Sequence, residues 1–277
     1  MSRKSNPLGR NDDALAVALA RYCGAQVALI SAALQRRSHI HRGVHEARKG
    51  IRRLRSVIAL GPAQLGHSAV GVDGALRRLG RGLSTVRDAQ VVRDCARKRA
   101  KTAASAEQRA LWLRITGQLA SARSRAMRKV RARDKGFADR QLAIERIGKK
   151  ISQLRWADIN LATIHAQLRS SAKRAGRAAD RYLAEPRLLS LHKLRRRLRR
   201  YRMQIAAISA TLEPPTPAAV RDEVQAIIAR HLNMFERLAR RVDQLGELLD
   251  LHLLRTAIRR LPSSPDRSLA LRLLRPS

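Results

Sequence analysis

One stretch of this chain occurs twice, and that repeat restricts the possible folds more than any other feature. Val44-His45-Glu46-Ala47-Arg48-Lys49-Gly50-Ile51-Arg52-Arg53-Leu54-Arg55 returns about 147 residues later as Leu191-His192-Lys193-Leu194-Arg195-Arg196-Arg197-Leu198-Arg199-Arg200-Tyr201-Arg202. Both copies follow apolar-His-x-x-Arg-basic-x-apolar-Arg-Arg-x-Arg. A second element follows each copy, Leu83-Ser84-Thr85-Val86-Arg87-Asp88 after the first and Leu245-Gly246-Glu247-Leu248-Leu249-Asp250 after the second. The order is a helix, a His/Arg helix, then a helix ending near an Asp, twice over. That order implies two homologous halves, with the seam between Asp134 and Asp158.

At about 100° per residue, His45, Arg48, Arg52 and Arg55 share one side of a helix, with Lys49 and Arg53 on the other flank. Val44, Ala47, Ile51, Leu54 and Ile58 gather opposite. The second copy gives the same wheel, with His192, Arg195, Arg199 and Arg202 opposite Leu191, Leu194, Leu198, Tyr201 and Ile205. Each helix therefore buries an apolar face and presents a basic stripe two to three turns long. The apolar identities drift between copies while the His and Arg positions stay the same, which packing alone does not require. A row of guanidiniums neutralises a linear polyanion whose phosphates run along the helix. Arg48, Arg52, Arg195 and Arg199 are expected to face solvent.

Ala, Leu, Arg and Gln dominate the remainder, and no stretch alternates apolar and polar residues for long, so the fold class is all-α. Helices are expected over Asp12–Arg37 (Asp12 as N-cap), Ile40–Leu60, and Val72–Thr102 with a bend near Gly80 or Gly82. Further helices are expected over Ser105–Arg133 (Ser105 as cap), Ala138–Trp156, Asp158–Ala184, Arg187–Leu212, Ala218–Leu261 and Ser268–Leu274. Residues 1–11 are expected to be disordered. The stretch Ala14–Leu34 is apolar enough to suggest a membrane span. Arg21 and Gln26 interrupt it, and Asp12 and Asp13 sit where a leader would carry positive charge, so it reads as an amphipathic helix. Cys23 and Cys95 are the only cysteines, and their distant spacing fits reduced thiols in a cytoplasmic chain.

The 59 Lys and Arg against 21 Asp and Glu give a net charge of +38, which points to an acidic partner. Only ten of the cations are Lys, and the planar fork of Arg suits phosphate oxygens taken two at a time. At 44% hydrophobic the chain is no basic tail, and 3% aromatic leaves few platforms for stacking bases. No nucleotide-binding loop, paired catalytic carboxylates, nucleophile constellation or helix-turn-helix signature stands out.

Taken together, the two His-x-x-Arg-x-x-x-basic-basic-x-Arg helices and the two downstream Leu-x-x-x-x-Asp elements resemble the conserved histidine α-helical domain (CHAD) family, over about Asp12 to Leu274. That resemblance implies two four-helix bundles, about residues 12–155 and 156–275, related by a pseudo-twofold axis around a basic central groove or pore. It implies binding of inorganic polyphosphate and association with polyphosphate granules, where other granule proteins are further candidate partners. The lack of catalytic constellations makes that binding non-catalytic, and the net charge leaves a nucleic-acid-binding helical protein as the alternative, with nucleic acid as the weaker competitor. The residues it assigns to polyphosphate are His45, Arg48, Lys49, Arg52, Arg53 and Arg55, with His192, Arg195, Arg196, Arg199, Arg200 and Arg202. No cofactor, metal or membrane is implied. Family members often adjoin a triphosphate-processing domain marked by Glu-x-Glu-x-Lys, which is absent from this sequence, so a stand-alone copy is expected.

Secondary signals are weaker. Arg77, Arg78, Arg81 and Arg87 are candidates to extend the basic surface, and Asp88 and Asp250 to orient motif arginines. His41 and His45, spaced i, i+4 with His39 near, would form a metal face only if a carboxylate joined them. The motif histidines are expected to donate hydrogen bonds to phosphate and to titrate near 6.5. Trp112 and Trp156 read as core residues.

Overall fold

A computed structural model describes residues 7–212 and 218–274, and among them there are helices and no strand. The chain runs α1 (Pro7–Gln35), α2 (Ile40–Ile58), α3 (Ser68–Gly82), α4 (Ser84–Lys101), α5 (Ala106–Arg133), α6 (Ala138–Ser152), α7 (Leu161–Ala184), α8 (Leu188–Ser209), α9 (Ala218–Arg259) and α10 (Pro265–Leu273), with short 3-10 turns before α6, before α7 and after α8.

Local chemistry sets most of the boundaries. Ser105 caps α5 as expected, its Oγ accepting from Gln108 N at 3.2 Å. Asn160 and Ser264 cap α7 and α10 in the same way, and Pro265 occupies the first turn of α10, where its missing N–H costs nothing. The expected continuous helix over 72–102 is two helices, α3 and α4, broken at Leu83 beside the glycines where a bend was anticipated. Asp12 is not a cap, because α1 already begins at Pro7. Residues 1–6 of the expected disordered start, and the proline-rich loop 213–217, lie outside the described residues.

The position of α2 depends on close approach to α1. A Cβ at Gly43 would meet the Ala33 carbonyl oxygen at 2.3 Å, and one at Gly50 would meet Ile30 Cγ1 at 2.5 Å. The two helices thus touch nearly backbone to backbone, which explains why the first motif copy tolerates Gly50 in its middle. The expected apolar face is buried: Val44, Ala47, Ile51 and Leu54 are at most 2% exposed, and Leu194, Leu198, Tyr201 and Ile205 of α8 at most 5%.

Among the described residues the core forms three clusters. The largest joins α1, α2, α3 and α6 to parts of α7, α8 and α9, through residues such as Leu19, Ile51, Leu76, Ile144, Leu168 and Ile205. A second lies between α7, α8 and α9 around Ala175, Leu194 and Leu249. The third packs Val92 and Ala96 of α4 and Ile115 of α5 against Leu254 and Ile258 of α9 and Ala270 of α10. These cores cross the boundary near residue 155 that was expected between the two helical-bundle repeats of a single domain. Helices α4 and α5 of the first half share their apolar interior with α9 and α10 of the second.

The segment Asp13–Gln35 of α1 has the length and composition of a membrane span, yet Leu15, Leu19, Cys23, Ile30 and Leu34 belong to the main core. Trp112 and Trp156 are buried as expected, the second donating its Nε1–H to Ile151 O at 2.8 Å. Cys23 is buried and Cys95 partly so; both are free thiols, and burial pushes Cys95 up to about 11.

Candidate functional site: a basic seam between the repeated helices

The two motif helices pack directly on one another. Their apolar faces look into the cores, so the basic stripes meet along the seam, and α4 closes it from the side. Arg52 and Arg199 meet at its centre. Burial pushes Arg52 down to about 9, and Arg199, Arg48, Arg87 and Arg195 add to the depression. Arg199 falls to about 10, by burial first and then by Arg195, Arg87, Arg48 and Arg196. Arg48 and Arg195 are lowered too, burial again leading, with Asp88 opposing at the first and Asp250 at the second. Five guanidiniums from three helices thus share one partly buried space. They are not the simple solvent-facing side chains that the wheel suggested.

The arginines differ in their partners. Arg48 is held by the Gly80 carbonyl oxygen and by Ser84 Oγ at 2.7 Å. Arg195 lies flat on Gly246, where an added Cβ would come within 2.9 Å of its Nη2. Arg52 and Arg199 pair with no carboxylate among the described residues, and the enclosed Nε atoms of Arg48, Arg52 and Arg195 have no hydrogen-bond partner. Arg87 bridges the acidic pair, 3.0 Å from Asp88 and 3.8 Å from Asp250. The two aspartates therefore hold Arg87 directly and act on Arg48 and Arg195 only through their field, a correction to the expectation that they would grip motif arginines.

Beside this cluster a cavity of about 330 Å³ opens between α2, α3 and α8. Its lining is Arg52, Arg55, Ser56, Arg77, Arg196, Arg197, Arg199, Arg200 and Met203: seven arginines and no carboxylate. Arg55 is the one tied down, by a bidentate pair with Asp73 at 2.8 and 3.0 Å. Asp73 also faces Arg200, which is depressed by burial first and then by Arg55. A cavity bounded by so many forks, most of them unpaired, suits groups with several anionic oxygens.

Not every expected residue joins this space. Arg53 turns to α1 and donates to Gln26 Oε1 at 3.2 Å, so it sits on the far flank. Arg202 is exposed and lies 3.9 Å from Asp243. Arg78 belongs to another surface, a pocket between α3 and α6 that includes Arg140 and Lys150, and Arg81 is exposed on α3. Arg77 and Arg87 do reach the seam. The sequence reading missed Arg197, which lies beside the apolar stripe on the helical wheel; only the approach of α2 and α3 turns its flank into cavity wall. Lys49, His45 and His192 stand at the margin of the seam. Both histidines titrate below 6.5. For His45 burial leads, with Arg52, Arg87 and Lys49 adding and Glu46 opposing; for His192 burial leads, followed by His252, Arg195 and Arg196.

The description "CHAD domain" fits the chain from residue 21 to residue 259 when it is matched to models of protein families. The chain belongs to the CHAD domain family. Among solved structures, the crystal structure of the CHAD domain from the plant Ricinus communis superposes with a TM-score of 0.63 at 19% identity, covering 94% of this chain and 84% of that one. At that identity the likeness speaks for the fold alone. No curated protein sequence matches the chain. Within this CHAD domain the repeated His/Arg helices are the two that form the seam, so the feature most visible in the sequence is also the one on which the charge converges.

Proposed function

We propose that this CHAD domain binds inorganic polyphosphate in the seam between α2 and α8 and does not turn it over. The observation that carries this reading is the cavity lined by seven arginines and no carboxylate, continuous with the partly buried Arg48, Arg52, Arg87, Arg195 and Arg199 cluster. Confining that many like charges is unfavourable in the free protein, and a ligand with one negative charge per repeat unit relieves the repulsion while meeting the open guanidinium edges. Nucleic acid offers the same charge at wider spacing, attached to bases that want aromatic platforms. The two tryptophans are committed to the core, so bases gain little here and nucleic acid is the weaker competitor. The cytoplasm, and the surface of polyphosphate granules in particular, is the setting in which such a site would find its ligand.

Competition calorimetry tests the proposal. Long-chain polyphosphate is expected to displace DNA at well below equal phosphate concentration, at matched ionic strength, with no orthophosphate released on long incubation. Equal displacement by the two polymers would remove the reason to prefer polyphosphate, and phosphate release would make the protein an enzyme.

The histidines add a pH dependence whose sign follows from their surroundings. Free His45 and His192 are held below 6.5, and phosphate beside them favours the protonated ring, so the bound pKa lies above the free one. Affinity therefore rises as pH falls through the bound value and levels off below the free value, which itself lies under 6.5. A gain on the order of tenfold between pH 8 and 5.5 is expected. A His45→Gln, His192→Gln variant should bind like wild type at pH 8 and lose that gain; a variant that keeps the full pH dependence would show that other groups titrate.

A further inference from the structure

His41 stands outside the repeated motif and outside the seam just described. We infer that His41 of α2, Arg93 of α4 and Arg123 of α5 form a further phosphate subsite, which carries the anion track beyond the repeated helices. This rests on the polyanion-binding reading above and extends it to a third pair of helices.

His41 lies one turn before His45, on the face that continues through Arg48 and Arg52 to Arg55. From His41 to Arg55 the stripe spans roughly 21 Å at about 1.5 Å per residue. At its near end the neighbours change from α8 to α4 and α5. Arg123 Nη1 donates to Gln90 Oε1 at 3.0 Å, Gln90 Nε2 donates to Asp94 Oδ2 at 2.7 Å, and Arg93 Nη1 donates to Asp94 Oδ1 at 3.2 Å. One carboxylate thus balances two guanidiniums and an imidazole. The network fixes one nitrogen of each arginine.

Two enclosed atoms at this end of the stripe, His41 Nδ1 and Arg123 Nε, have no hydrogen-bond partner. Burial lowers His41, with Arg123 and Arg93 adding and Asp94 opposing, so the cations do face the ring. That surrounding also answers the metal reading of the His41/His45 pair. A divalent cation would sit against two guanidiniums, whereas a phosphate would sit between them.

The subsite belongs to one half only. The position equivalent to His41 in the second copy is Leu188, and the helix that follows the Asp element is the short α10 in the second half and the long α5 with Arg123 in the first. The track is therefore lopsided. A short anion fills the central arginines, and only a chain long enough to run down α2 reaches Arg123. Preference for long chains comes from this end.

The test compares tripolyphosphate with long-chain polyphosphate on the full chain. Arg93→Ala with Arg123→Ala is expected to bind tripolyphosphate as wild type does and long chains about 5–20-fold more weakly. A charge-matched control, Arg109→Ala with Arg128→Ala on the exposed face of α5, is expected to change long-chain affinity less than twofold. Equal long-chain losses in the two variants would reduce the effect to net charge and overturn the subsite. Equal losses for short and long ligands would overturn the lopsided track. Should the first variant fold poorly by circular dichroism, Arg123→Gln, which keeps a donor for Gln90, gives the same readout. Wild-type protein that binds neither polyphosphate would overturn the parent reading as well, which sets that failure apart from the other two.

Discussion

Replacing Arg52 and Arg199 together by methionine is expected to raise the melting temperature of the free protein while weakening polyphosphate binding at least a hundredfold. The two effects have opposite signs because one cause produces both. Burial and neighbouring arginines hold these groups at about 9 and about 10, so at pH 7 they remain charged in a place that disfavours charge. A base whose folded pKa lies below its unfolded value costs stability at every pH below the folded value. For this pair the full cost applies at neutral pH, and relief only begins as pH rises through 9 to 10 and grows until the unfolded value is reached. Methionine removes the charge and keeps a flexible chain of similar length to fill the space. Exchanging buried charges for apolar groups of like volume commonly gains about 1–4 kcal/mol, or some 3–10 °C in a protein this size. On the binding side each lost charge-assisted contact costs about 1.5–3 kcal/mol, and two fewer phosphates neutralised flatten the salt dependence by a slope of about 1.4. Differential scanning fluorimetry and titrations at three salt concentrations check both halves. A variant that melts lower and binds unchanged would make Arg52 and Arg199 structural groups with no ligand.

The helical class and the two seam helices were legible because 3.6-residue periodicity is a local property and the repeat pointed to the polar face. The wheel separated the flanks of α2 correctly but could not say which flank faces a partner. Arg53 and Arg200 occupy equivalent motif positions, yet Arg53 turns to Gln26 of α1 while Arg200 lines the cavity. That difference comes from what packs outside the repeat: α1 approaches α2 through Gly43 and Gly50 closely enough to claim one flank. The same non-local cause explains Arg197, and it explains the core shared by α4, α5, α9 and α10. Each of those helices reads as amphipathic alone, and nothing in its period names the helix it will meet. The sequence also hid the burial of the central arginines. A lone helix exposes its polar face, and only the facing of two such helices across a shared seam takes part of that face out of water.

Polyphosphate at a hundred times its dissociation constant is expected to raise the melting temperature of the wild-type protein by about 5–10 °C. Binding to the folded state alone contributes about 2.7 kcal/mol at that excess, and each kcal/mol shifts a chain of this length by roughly 2–4 °C. Sodium chloride provides the contrast. The free protein confines Arg48, Arg52, Arg87, Arg195 and Arg199 together, so screening should stabilise it: raising salt from 0.1 to 1 M shortens the Debye length from about 10 Å to about 3 Å. The same screening weakens the polyanion, so the melting curves with and without ligand converge as salt rises. In the Arg52→Met, Arg199→Met variant both responses shrink, because the charges that salt screens are the charges that the ligand neutralises. Thermal melts over a salt series, with and without polyphosphate, for wild type and variant, decide the matter. Equal ligand stabilisation of the two proteins would place the polyanion elsewhere on a +38 surface, and a free protein that loses stability as salt rises would show that the seam is held by attraction rather than opposed by repulsion.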